Sequence, residues 1–302
     1  METISSSQVH IINRIAKPAQ DRGIIRLSSE VVCIKSLETV TDIRPRLVVE
    51  TADGAKEAFD EVVVTVPLGC LKSSQIRFEP PLQDPLRNAI SAFGTANLDK
   101  VYVRFPAAFW QSDAASQDDA SAFPIETLFL KPTYAESTNP AQWRQETLSL
   151  ASLPRGYSQP SLVFYVYGEW GTYITNLVRN MPRDTQEYHQ TMDRHFRPYY
   201  SKLPNYNPSE PQCRPAQYLH TDWSNDRFAG YASYCNYQVG LGDGARDIET
   251  LRQGAGVERG IWFAGDHTAP VWGLGTVAGA HWSGERVAEQ IRGVYANKIA
   301  AT

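Results

Sequence analysis

The sequence predicts an α/β fold, and three observations carry that prediction. Glu61 to Pro67 (EVVVTVP) is a valine run without polar alternation, as expected of a strand covered on both faces in a layered sheet. From Ile261 the pattern is a short apolar strand (IWFAG), a glycine-rich loop and a helix from about Ala278 to Val294. Strand patterns at Lys100 to Phe105 (KVYVRF) and Leu162 to Tyr167, with a helix over Asp184 to Tyr200, supply a second block of mixed structure. At roughly 150 residues per domain, the 302-residue length suggests two domains.

The remaining elements follow from local chemistry. Gly23 to Ser36 and Arg46 to Glu50 are rich in β-branched residues, and Thr51-Ala-Asp-Gly54 supplies a turn, which predicts a small antiparallel ribbon. Pro67 ends the valine strand. After the break at Pro80 and Pro81, Asp84 is the expected cap of a helix with Leu86, Ile90 and Phe93 on one face, stopped by Gly94. Residues 111–160 are rich in Ser, Ala, Gln, Asp and Pro and read as long excursions, with one strand near Thr127 to Leu130. The prolines within 204–217 mark a connector.

Composition excludes several classes. With 42% hydrophobic and 21% charged residues the chain can bury a sizeable core, which rules out disordered and fibrous classes. The net charge of −4, from 29 basic and 33 acidic residues spread along the chain, gives no footprint for nucleic acid or a membrane surface. Cys33, Cys70, Cys213 and Cys235 lack zinc-ligand spacing, so they read as buried thiols and no metal is expected. Met1 to Gln8 is polar, and no window reaches the ~18 consecutive apolar residues of a membrane span, so a cytoplasmic chain is expected.

The stretch from Ile261 to Gln290 carries the most chemistry. A strand ending in Ala-Gly-Asp, followed by small residues opening a helix, presents backbone N–H groups and the positive end of a helix dipole to an anionic or electron-rich ligand. Gly273-Leu-Gly275-Thr-Val-Ala278 fits a G-x-G-x-x-A dinucleotide pattern, but so does Gly240-Leu-Gly242-Asp-Gly-Ala245. Neither is followed by the second strand and acidic residue that a complete nucleotide fold needs. Taken alone, such glycines only allow close helix–strand packing.

Four segments in order resemble the flavin-dependent amine oxidases, in the branch of polyamine oxidases and flavin-dependent histone demethylases. They are Phe59 to Lys72 (FDEVVVTVPLGCLK) with the following IRFEPP, Gly94 to Trp110 (GTANLDKVYVRFPAAFW), Trp223 to Gly240 (WSNDRFAGYASYCNYQVG), and FAGDHT with GLGTVAGAHWSGE. The resemblance implies FAD as cofactor, held by a partial Rossmann-like domain in two segments, 1–72 and 223–302, around an α+β substrate-binding domain at 73–222. The family's N-terminal G-x-G-x-x-G unit is absent from the sequence. The chain therefore resembles the C-terminal part of the family, and a separate chain supplying the nucleotide-binding half is among the partners to consider.

The same resemblance assigns roles. Lys100 is the catalytic candidate, holding a water beside flavin N5; without the resemblance it would read as a lysine snorkelling at a strand start. Thr276 and Val277 open the last helix against the flavin N1–C2=O edge, where the dipole favours the reduced ring. Asp266 matches an acidic position near the ribityl chain and pyrophosphate, Gly265 lets that backbone approach, Val31 matches a backbone contact to adenine, and Thr65 and Pro67 sit at a strand end near the cofactor. Trp223 and Phe228 flank the flavin. Tyr234, Leu98 and Thr276 face the substrate, where an aromatic cage attracts a cationic amine. Leu98 and Thr276 replace aromatics found in some relatives, which thins that cage, and Ala232 replaces a common glycine.

The implied reaction is oxidation of an amine C–N bond to an imine, with hydride passing to the flavin and O2 giving hydrogen peroxide. Two other readings stay open. One is a flavin-dependent tailoring oxidase of secondary metabolism, and the other is a truncated, non-catalytic remnant or interaction protein. A hydrolase built on Ser283 and His281 lacks the G-x-S-x-G elbow, and His267 with His281 lacks a third metal ligand.

Overall fold

A computed structural model describes residues 5–37, 45–111, 123–240 and 242–300. In chain order the elements are α1 (Ser5–Asp21), β1 (Val31–Ser36), β2 (Leu47–Thr51), β3 (Lys56–Phe59), β4 (Val62–Val64), α2 (Leu68–Lys72), β5 (Arg77–Glu79), α3 (Asp84–Ala92), β6 (Gly94–Ala96) and β7 (Leu98–Arg104). They continue with β8 (Glu126–Phe129), β9 (Gln145–Ser149), β10 (Ser161–Tyr167), α4 (Gly168–Val178), α5 (Gln186–Tyr200), β11 (Gln217–His220), β12 (Tyr234–Asn236), α6 (Gly244–Gln253), β13 (Ile261–Phe263) and α7 (Val277–Ala300). Part of the expected 111–160 excursion, residues 112–122, lies outside the described residues, as does Leu241 within the second glycine pattern.

The chain divides into two compact units, Met1–Ile25 with Leu98–Asp222, and Arg26–Asn97 with Trp223–Thr302. The sequence boundary at 72/73 therefore moves to 97/98. Leu86, Ile90 and Phe93 of α3 bury into the same core as Ile248 and Leu251 of α6, and β6 pairs with β12, so residues 73–97 belong with the C-terminal segment. The first 25 residues, expected with the other unit, group with Leu98–Asp222.

In the Leu98–Asp222 unit, β11-β7-β10-β9-β8 form a five-stranded antiparallel sheet. Val101, Val103, Leu162, Phe164 and Val166 of its strands meet Trp170 and Ile174 of α4 and Met192 and Phe196 of α5. The helices form because their apolar residues recur at helical spacing, Trp170, Ile174 and Val178 on α4, and Tyr188, Met192, Phe196 and Tyr199 on α5. Thr185 caps α5, its side chain accepting from the Tyr188 N–H. Neither α4 nor α1 is visible in the turn signals of the sequence; α1 leaves Ile11, Ile12 and Ile15 exposed.

In the other unit, β3-β2-β1-β5 form a four-stranded sheet in which β5 runs parallel to β1. The predicted ribbon is present, but it starts at Val31, not Gly23, and extends to β3 through a turn in which Asp53 accepts from the Ala55 N–H at 3.1 Å. The valine strand β4 pairs in parallel with β13, and Val63 is exposed, so it is not covered on both faces as expected. Asp84 stands inside α3, whose cap is Gln83, and ion-pairs with Arg87 at the positive end of the helix. A buried network ties this unit together: Glu61 pairs with Arg46 and accepts from Trp262 Nε1 at 2.8 Å and Tyr295 OH at 3.0 Å, while Arg46 donates to Val257 O at 2.8 Å. Breaking one member of such a pair leaves a buried charge uncompensated, which is why both are satisfied several times over.

All four cysteines are free and buried. Among the described residues no helix is long and apolar enough to cross a membrane, and no three His, Cys, Asp or Glu side chains gather as a metal site.

Candidate functional site

A cleft of about 520 Å³ opens in the Arg26–Asn97 and Trp223–Thr302 unit. Thr65 and Pro67 reach it from the end of β4, Gly265 and Asp266 from the end of β13, Thr276 and Val277 from the start of α7, and Trp223, Phe228 and Tyr234 from the segment leading into β12. The parallel pairing of β4 with β13 puts both strand ends on the same side. That is where a ligand meets the carboxyl ends of strands in α/β sheets.

The backbone around the cleft is shaped for close approach. Gly265 has φ +136°, a conformation that L side chains rarely adopt, and a Cβ there would come within 2.7 Å of the His267 ring. Its N–H donates to Ser283 Oγ at 2.8 Å, which anchors the β13 end to α7. Thr276 caps α7: its Oγ1 accepts from the Gly279 N–H at 2.9 Å and donates to Gly273 O at 2.8 Å. The N–H groups of Val277 and Ala278 have no acceptor within the helix and lie at its positive end. Gly279 sits so close to the preceding loop that a Cβ would lie 2.0 Å from Gly273 O.

Three aromatic rings rim the cleft, and their exposure decides what they are for. Trp223 is 39%, Phe228 59% and Tyr234 37% exposed, which excludes core packing as the reason for any of them. Asp226 holds the loop, accepting from the Phe228 N–H at 2.8 Å and the Ala229 N–H at 3.3 Å. The Arg227 guanidinium lies 4.4 Å from the centre of the Phe228 ring and pairs with Glu30 at 2.6 Å.

Asp266 joins Asp226 as an acidic group on the cleft wall, with its carboxylate accepting from the Cys235 N–H at 3.3 Å. Burial pushes its pKa up, but the His267 ring and Cys235 outweigh that and hold it below the usual carboxylate range. His267 is fully buried, 3.6 Å from Asp266, and neither ring nitrogen has a hydrogen-bond partner among the described residues. Buried polar atoms are seldom left so.

Of the other residues expected at the site, Val31 opens β1 and is not part of the cleft wall. Leu98 and Lys100 lie on β7 in the other unit. There Lys100 is half-buried, with Nζ 3.2 Å from Leu98 O and 5.4 Å from the centre of the Tyr165 ring, so it is not a freely snorkelling lysine. Burial pulls the pKa of its ammonium down, and the charge of Asp99 pushes back. Sequence reasoning missed Asp226, Cys235 and Thr95 on the cleft wall, and it weighed His267 only as a metal ligand.

The sequence profile of the flavin containing amine oxidoreductases matches residues 10–292. The chain belongs to that family. Among family relatives, it is 27% identical over 271 residues to Lysine-specific histone demethylase 1 homolog 3 of Arabidopsis thaliana, covering 90% of this chain and 14% of that protein. It is 35% identical over 100 residues to Probable polyamine oxidase 4 of the same plant, covering 33% and 18%. Structures of putrescine oxidase superpose with TM-scores of 0.58 and 0.56 at 17% and 19% identity, covering 88% and 87% of this chain and 48% of theirs, which shows the shared fold. The chain thus spans less than half the length of these relatives.

FAD is the cofactor of the family, and the cleft's residues suit its ring. Its wall combines the aromatic rings of Trp223, Phe228 and Tyr234 with polar groups that include Thr65, Asp266 and Thr276, and the start of α7 lines it.

Proposed function

We propose that the chain works as an FAD-dependent amine oxidase acting on a cationic alkyl amine. When bound, FAD supplies two-electron oxidation of a C–N bond to an imine, with O2 as final acceptor and hydrogen peroxide as product. The observation that carries this reading is the convergence of Thr65, Pro67, Gly265, Asp266, Thr276 and Val277 on one cleft rimmed by Trp223, Phe228 and Tyr234.

In this reading each residue has a physical task. The free N–H groups at the start of α7 stabilise negative charge that grows beside them during reduction. Asp266 binds cofactor hydroxyls, and Gly265 keeps the strand end narrow enough for contact. The aromatic rim attracts the amine by cation–π contact, each good contact contributing roughly 0.5–2 kcal/mol. Val31 contacts adenine, and Tyr234 with Thr276 shapes the amine site. Lys100 holds a water at Nζ, where a half-buried amine exchanges a proton more readily than an exposed one. The nucleotide-binding half of the family is not within these 302 residues, and a second polypeptide carrying it is the partner to supply when the reading is tested.

Incubation with FAD followed by gel filtration is expected to give a yellow protein with flavin absorption, alone or with that partner, and peroxide release from polyamines above that from bulkier amines. A protein colourless under both conditions overturns the reading in favour of a non-catalytic interaction protein. Higher output with bulky amines points to a tailoring oxidase. Asp266→Asn is expected to weaken FAD binding about 10- to 100-fold, the size of a lost hydrogen bond to a charged group, measured by fluorescence quenching of free flavin.

A further inference from the structure

Asp99 lies on the opposite face of β7 from Lys100 and is 1% exposed. A buried carboxylate one residue from a half-buried lysine calls for a reason, because neither charge is cheap to desolvate. Thr221, which follows β11, links the two. Its Oγ1 donates to Asp99 Oδ1 at 2.8 Å and accepts from the Lys100 N–H at 2.9 Å, while the Thr221 N–H donates to Lys100 O at 2.9 Å. The threonine therefore grips both sides of the Lys100 peptide, and the carboxylate sets the direction of the hydroxyl, leaving its lone pair for the lysine amide.

We infer that Asp99 and Thr221 are positioning residues for Lys100: Thr221 pins the strand where the lysine begins, and the carboxylate of Asp99 orients the Thr221 hydroxyl and sets a negative charge behind the half-buried amine. The inference rests on the reading above that the Lys100 amine serves the reaction. Burial makes the loss of a proton from an amine easier. A fixed negative charge behind the strand opposes that loss without occupying the open face.

The groups facing Lys100 supply no comparable charge. On its own face stand Tyr102 and, across the strand pair, Tyr165, whose phenols are both pushed up by burial. Beyond Tyr165 lies Glu146, its register partner on β9, with Glu126 further out on β8. On the β11 side, His220 pairs in register with Val101; it is bonded to Tyr188 OH at 2.8 Å, and burial lowers its pKa to about 4, so it is neutral at neutral pH. Asp222 follows Thr221 in the chain.

The test uses the whole chain with its lysines ¹³C-methylated, and the Lys100 signal assigned by its loss in Lys100→Arg. In Asp99→Asn, which preserves shape, the Lys100 titration midpoint is expected to fall by about one pH unit. In Thr221→Val, hydrogen exchange at the Lys100 amide is expected to quicken roughly 5- to 10-fold, with Thr221→Ser restoring protection. A folded Asp99→Asn protein with an unmoved midpoint overturns the inference, and so does a Thr221→Val protein with unchanged exchange. Because both readouts concern the lysine and not turnover, they stand apart from the question whether Lys100 takes part in the reaction, which peroxide release by Lys100→Met decides.

Discussion

Lys100→Met is expected to lower peroxide release with a good amine substrate by roughly 10²-fold or more, the usual weight of a positioned proton-transfer group, with KM little changed. Methionine keeps the length and the apolar stem that packs near Tyr165, so the loss isolates the amine. The alternative predicts a different outcome. A lysine that only snorkels at a strand start would be replaced without effect, because an exposed lysine contributes little to anything but solubility. The half-buried position, the contact to Leu98 O and the Thr221 grip on its peptide all set Lys100 apart from that case. Steady-state rates of the variant across pH check the result, and a turnover within a factor of two of the parent removes the lysine from the reaction.

Gly279→Ala is expected to destabilise the protein by about 3 kcal/mol and to abolish flavin retention, read from the urea midpoint and from absorbance after gel filtration. Helix propensity alone argues the other way, since alanine inside a helix gains about 1 kcal/mol over glycine. Packing decides the sign here: the new Cβ would sit 2.0 Å from Gly273 O and 2.8 Å from Ala269 Cβ, so α7 must move off the loop that leads into it. Any such movement displaces Val277, at the start of α7, from the cleft wall. Gly284→Ala on the same helix is the control. Nothing lies within 4 Å of its Cβ, so propensity acts alone, and that variant is expected to gain about 0.5–1 kcal/mol with flavin binding intact.

Much of the architecture was legible in the chain because its signals are local. The alternation in β7, the apolar spacing of α3 and α5 and the strand–glycine–helix run into α7 repeat within a few residues, so the period alone identifies them. The helices α1 and α4 carry no clear boundary signal: α4 begins at a positive-φ glycine directly after β10 with no side-chain cap, and α1 lacks an acidic first turn and carries Pro18 inside. The valine run predicts a doubly covered strand, yet Val63 is exposed, because coverage depends on neighbours that composition does not specify.

At the site the same division holds. The residues of the Trp223, FAGDHT and GLGTVAG segments were identifiable from their motifs, and the cleft gathers them from positions as far apart as Thr65 and Val277. The motifs were silent on His267 as a buried ring beside Asp266, on Asp226 as the brace of the aromatic loop, and on the Asp99–Thr221–Lys100 linkage, whose members stand 121 and 122 positions apart in the hydrogen bonds that join them.

By itself, then, the amino-acid order determined the helix and strand periods, the family motifs and the residue types available for chemistry, since these depend on neighbours along the chain. Only the tertiary structure decided the unit boundary at 97/98, the opening of α7 toward a cleft and the burial of Asp99 behind its lysine. Those are contacts between distant segments. They are selected by close packing and by the need to satisfy every buried polar group, which no local pattern encodes.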